Sequence, residues 1–170
     1  ELLQIIDGLR DKPAVFAKAY GENKTLAAAV RQYMHELFGA EGLVCIDGDD
    51  RLLKSLFAPI MKKDIVENAA EKIVAETSAR LENQGYKTQI HARNINFFYL
   101  DENLRERIEK NEEMYMVVNT DLSFTESEIL EILDKTPEKI SPNVVLRPIY
   151  QETILPNLAY LGRPSEVCYW

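Results

Sequence analysis

Two cysteines in 170 residues are too few for a fold held by disulfides. Cys45 and Cys168 each sit in an apolar stretch, and no CxxC occurs, so both read as free thiols of a reducing cytoplasm. Glycine and proline are sparse, seven of each. That excludes collagen-like and low-complexity architectures and predicts order along most of the length. No apolar run approaches the roughly 20 residues of a membrane-spanning helix. Basic charge is short too: 20 Lys and Arg face 28 Asp and Glu, for a net charge of −8 and a pI near 4.9. A protein built mainly for nucleic acid carries a basic face, so that class is set aside. The only histidines, His35 and His91, fit neither HxxxH nor HExxH, and no metal site is predicted. The GxGxxG fingerprint and the Walker pattern are both absent.

What is present is a chain with 46% hydrophobic residues. It is long enough for one domain, or for a domain carrying an insertion. A chain of this length buries roughly two-thirds of its unfolded surface and needs no staples. Residue 1 is Glu, no leader sequence precedes the first apolar pattern, and the chain stops at Tyr169-Trp170 just inside a predicted helix. The expectation is a piece of a longer protein.

Periodicity divides the chain. Asp11 and Pro13 open a short helix that Gly21 closes. Leu26, Ala29, Val30, Tyr33, Met34, Leu37 and Phe38 then mark an amphipathic helix ended by Gly39. Leu43-Val44-Cys45-Ile46, bounded by glycines, predicts a strand of a parallel sheet buried on both faces, with Cys45 in the core. Leu52, Leu53, Leu56, Phe57, Ile60 and Met61 predict a helix that Pro59 kinks or ends. Residues 64–84 predict a polar helix stopped at Gly85. Tyr86–His91, Asn94–Leu100 and Met114–Val118 predict short strands, with the Phe97-Phe98-Tyr99 cluster packing rather than stacking on bases. Thr125-x-x-Glu128 is a capping box before Ile129, Leu130 and Leu133. Leu158-Ala159-Tyr160-Leu161 predicts a second buried parallel strand, followed by a tight turn and a helix start. The expected fold class is α/β, a Rossmann-like parallel-sheet fragment with an inserted α+β subdomain. Residues 1–63 and 141–170 supply the Rossmann-like segments, the second cut short, and 64–140 the insertion.

Three constellations could carry chemistry. Asp47-Gly48-Asp49-Asp50 follows the first predicted strand, where ligands bind in open α/β sheets. Its carboxylates could hold an ammonium group, orient a sugar hydroxyl or bind a metal. Asp49 and Asp50 serve equally well as helix caps, whereas Asp47, on the last strand position, leans towards function. In residues 141–153, Asn143, Arg147, Tyr150, Gln151 and Glu152 place polar chemistry in an apolar segment. Arg147 can clamp a carboxylate or phosphate, although pairing with one of the 28 acids is the commoner fate of an Arg. Gly162-Arg163-Pro164-Ser165-Glu166 is a turn into a helix start, read as an anion site or as a helix capped by Ser165.

Four runs together resemble the bacillithiol biosynthesis cysteine-adding enzymes. They are Leu37-Phe38-Gly39, Val44 to Asp50, Ser141 to Glu152 with its Arg147-Pro-x-Tyr150-Gln151 core, and Leu155 to Trp170. The likeness covers nearly the whole chain in one order, with Arg163 where the family carries a second Gly. The resemblance implies a ligase that joins cysteine to glucosaminyl-malate. It also implies a Rossmann-like core similar to class I aminoacyl-tRNA synthetases, with inserted connecting domains and a C-terminal coiled coil. On that reading this chain is an internal portion, inactive in isolation, of a cytoplasmic parent that dimerises through the coiled coil. The family's N-terminal Rossmann segment with its His-Gly motif would then lie outside it. Asp47 and Asp49 would be catalytic. Asp50, Asn143, Arg147, Tyr150, Gln151, Gly162, Ser165 and Glu166 would bind substrate. No cofactor is specified, and a nucleotide bound by the longer parent is one source of the carboxyl activation that ligation needs. The competing reading is a non-catalytic α/β module whose acidic 64–113 stretch docks a partner.

Overall fold

A computed structural model describes Gly8 and residues 13–169. Asp11 of the first predicted helix and Trp170 of the C-terminal motif lie outside the described residues. The chain forms two compact units, Glu1–Gly48 and Asp49–Trp170.

In the first unit, helices α1 (Ala14–Glu22) and α2 (Leu26–Phe38) pack on each other. Thr25 starts α2, its hydroxyl accepting from the Ala28 N–H at 3.2 Å. Ala19 and Ala29 are buried, and their small side chains let the helices approach. The rings of Phe16, Tyr20 and Tyr33 gather with centroids 4.4 to 6.2 Å apart. A 3-10 turn, Gly39–Glu41, follows, and Gly42 turns the chain at φ 87°. That value lies in the left-handed region that glycine adopts without steric cost.

The next segment departs from expectation. Residues 43–46 form no strand; Leu43 and Val44 are exposed and Cys45 is only half-buried. Their apolar run has the composition of a buried strand, but composition supplies no ladder partner, and no described strand pairs with it.

The second unit holds α3 (Arg51–Glu67), α4 (Ala69–Asn83), β1 (Phe97–Asp101), β2 (Leu104–Asn111) and β3 (Met114–Val117). After these come β4 (Ser123–Phe124), α5 (Glu126–Lys135), β5 (Ile140–Pro142), α6 (Arg147–Ile154) and α7 (Pro164–Tyr169). The sheet order is β4-β3-β2-β1-β5 and every pairing is antiparallel. The parallel sheet expected from residues 43–46 and 158–161 is therefore corrected. Residues 158–161 are also not a strand, and Leu158 and Leu161 are fully exposed. Tyr86–His91 forms no strand either, whereas Leu104–Asn111, which carries five charged residues, does.

The core lies between one face of this sheet and the helices. Phe97, Tyr99, Ile108, Tyr115, Val117 and Ile140 from the strands meet Phe57, Met61 and Ile65 of α3 and Ile129 and Leu133 of α5. Each such side chain contributes about 1.5–3 kcal/mol on burial. Helix α3 continues through Pro59 instead of ending there, because its buried face holds it on both sides of the proline. The break comes at Asn68, whose φ of 53° separates α3 from α4. The Thr125 capping box forms as expected, with Glu128 Oε2 accepting from Thr125 N–H at 2.7 Å.

Candidate functional site

Asp47 belongs to the first unit, where its carboxylate accepts from Arg31 Nη1 at 2.8 Å. Asp49 and Asp50 open the second unit. Asp50 caps α3: its Oδ1 accepts from the Leu52 and Leu53 N–H groups at 2.9 and 3.1 Å. Asp49 lies 3.1 Å from Lys54 Nζ, one helical turn into α3.

Lys54 is the residue that sequence reasoning passed over. Its side chain is 0% exposed, while that of Asp49 keeps 58%. Besides Asp49, its ammonium donates to the Ile140 carbonyl of β5 at 2.7 Å. Burial pushes its pKa down, the Asp49 carboxylate pulls it back up, and nearby Arg147 lowers it further. A signal did exist. Lys54 precedes Phe57, Ala58, Met61, Asp64 and Ile65 at the three- and four-residue spacing of the buried face of α3. Leu52, Leu56 and Ile60 occupy the exposed side instead.

Arg147 starts α6 and is exposed. Its guanidinium lies 5.9 Å from the centroid of Tyr150, a buried ring that packs on Phe57 at 5.1 Å. Among the described residues Arg147 forms no ion pair, in a chain of net charge −8. The pairing with a surface acid that its residue type favours is thus not made. Asn143 sets this geometry. Its side chain accepts from Val145 N–H at 2.9 Å and donates to Asn96 Oδ1 at 3.1 Å, and its carbonyl accepts from Arg147 N–H at 2.9 Å. The second unit therefore brings Asp49, Lys54, Arg147 and Tyr150 to one place, where α3 begins beside β5 and α6.

Gln151 lies apart from that cluster. It lines an open cleft of about 860 Å³ with Glu152, Asn157, Tyr160 and Val167 among its walls. Glu152 Oε2 there accepts from both the backbone and side-chain N–H groups of Asn157 at 3.0 Å. In the 162–166 turn, Glu166 rather than Ser165 satisfies the backbone: its Oε2 accepts from Arg163 N–H and its Oε1 from Arg163 Nη2, both at 2.9 Å. Arg163 accordingly holds the Glu166 carboxyl below its ordinary pKa. Ser165 is exposed inside the first turn of α7. At Gly162 a Cβ would meet a Tyr160 ring carbon at 2.3 Å, so a larger residue there would displace that exposed ring. No group of three metal-ligating side chains occurs among the described residues.

The fold defines an α/β domain, and this cluster is its candidate site, a cation and carboxylate at a helix start. Comparison with known proteins narrows the class. The family described as Bacillithiol biosynthesis BshC, N-terminal Rossmann-like domain, matches residues 2–170, and the chain belongs to it. A relative from Cytophaga hutchinsonii, named "Putative cysteine ligase BshC", is 44% identical over 98% of this chain and 32% of its own length. Proteins of the same name from Flavobacterium psychrophilum and Lysinibacillus sphaericus are 46% and 34% identical, over 92% and 88% of this chain and 29% and 28% of theirs. The chain thus spans about a third of the length of these curated relatives.

Proposed function

We propose that the chain supplies substrate-holding residues to a cytoplasmic ligase that joins cysteine to glucosaminyl-malate in bacillithiol biosynthesis. Membership of the BshC family supports the reaction class. The observation that carries the residue assignment is Arg147, an exposed guanidinium without an ion pair among the described residues, set beside Asp49 and Lys54. A guanidinium so placed suits a carboxylate ligand, and both proposed substrates carry carboxylates. Arg147 would hold the malyl or cysteinyl carboxylate. Asp49 would orient the glucosamine amine and take one of its protons as the amine attacks a cysteinyl carboxyl already activated as an acyl phosphate-type anhydride by a nucleotide of the parent. The C–N bond forms, the C–O bond to the phosphate breaks, and the phosphate leaves with the electron pair. Asp47, tied to Arg31, is the second carboxylate of the assignment. Within the parent we assign residues 1–63 and 141–170 to the Rossmann-like part and 64–140 to a connecting part.

Ligation by the full-length parent tests this. Arg147→Ala should raise KM for the carboxylate-bearing substrate, and Asp49→Asn should lower kcat about 100-fold. Circular dichroism should be unchanged in both, since Arg147 is exposed and an asparagine in place of Asp49 keeps an oxygen for the buried Lys54 ammonium. Asp47→Asn reports separately on the second carboxylate. Absence of turnover in the unaltered parent would leave the binding-module reading in place.

A further inference from the structure

We propose that Lys54 is a positioning residue, one that acts through Asp49 and does not touch substrate. The inference rests on the ligase role given to Asp49 above.

Removing an ammonium from water is costly, and buried ion pairs are often replaceable by apolar side chains without loss of stability. A fully buried lysine on the core face of α3 is therefore a poor choice for stability alone. Its two acceptors show what it does instead. One is the Ile140 carbonyl, in the strand that pairs with β1 at the edge of the sheet. The other is the carboxylate of Asp49, on the loop before α3. Lys54 shares the buried face of α3 with Phe57, and its ammonium is a fixed post between the sheet and that loop. Asp49 is clamped through Oδ1 while its side chain stays largely exposed. A carboxylate that must meet an amine gains from such anchoring, since a displacement of about 1 Å can cost 100-fold in rate. The charged groups bearing on Lys54 are Asp49, Arg147 and Glu138. Asp49 alone among them is within ion-pair distance.

In the full-length parent, Lys54→Met should lower kcat at least tenfold with KM within about twofold, because the substrate-binding Arg147 remains. In the Asp49→Asn background the same change should have no further effect, giving a non-additive double variant. Normal kcat in a folded Lys54→Met protein, or losses that multiply in the double variant, would overturn the proposal. Loss of the Asp49 role appears separately, as normal turnover in Asp49→Asn alone. A second measurement does not depend on the Lys54 variant folding. Side-chain NMR of Lys54 in the 170-residue chain should show its titration moving to lower pH in Asp49→Asn. An unchanged Lys54 titration would reject the clamp.

Discussion

Asp64 is buried near the end of α3, with Oδ1 accepting from Ala70 N–H at 2.7 Å and Oδ2 lacking a hydrogen-bond partner. Burial raises its pKa above the ordinary value of 3.8, and the bond from Ala70 opposes that only in part. The folded state therefore holds this proton more tightly than the unfolded state. Its contribution to stability is fully present below the unfolded value and is lost as pH rises through the folded one. Asp64→Asn keeps the oxygen that Ala70 needs and removes the buried charge. The variant should match the parent chain near pH 4 and exceed it by a margin that grows towards pH 7, because only the aspartate develops a buried charge as pH rises. Urea denaturation across that range reads the gap directly. A gap that does not grow with pH would show that charge burial at Asp64 is not the cause. Asp50 is the contrasting carboxylate: exposed and bonded to two N–H groups, it is a helix cap and was open to that reading from its place before an apolar stripe.

Among the elements, the joint between α3 and α4 is a single residue, Asn68 at φ 53°. Asparagine enters the left-handed region more readily than residues with plain apolar side chains, and glycine enters it freely. Asn68→Ala should lose about 1 kcal/mol while Asn68→Gly loses less; equal losses in chemical denaturation would mean that backbone strain is not what the joint resists. Local signals of this kind were the legible ones. The apolar spacing of α2 and the capping box of α5 both depend on residues within one or two turns, and both formed. Sheet partners depend on distant chain. Residues 43–46 and 158–161 look like strands but pair with nothing described, whereas β2 pairs on both edges despite Glu106 and Lys110 on its core-facing side. The candidate site was legible to the same extent. Asp49 and Arg147 could be chosen by residue type, but their meeting depends on Lys54 bridging 86 residues to Ile140, and no local pattern encodes that bridge.

On the scale of the whole molecule, the outstanding feature is apolar surface left in water. Leu158 and Leu161 are 107% and 98% exposed, and Leu52, Leu56 and Ile60 form a stripe at four-residue spacing along α3. Scattered exposed leucines are ordinary, but grouped ones on one polypeptide favour association. The net charge of −8 opposes self-contact at low ionic strength, and salt screens that repulsion over about 10 Å at 0.1 M. The isolated 170-residue chain should therefore associate more as salt is raised, in the direction opposite to an assembly held by ion pairs. Replacing Leu158 and Leu161 together by Ser should weaken this association, measured by light scattering at matched concentration. The melting temperature should stay within about 2 °C, because side chains that bury nothing contribute little to folding. Association that is unaffected by the double replacement would move attention to the α3 stripe. A large fall in melting temperature would mean instead that these leucines are packed in the folded chain.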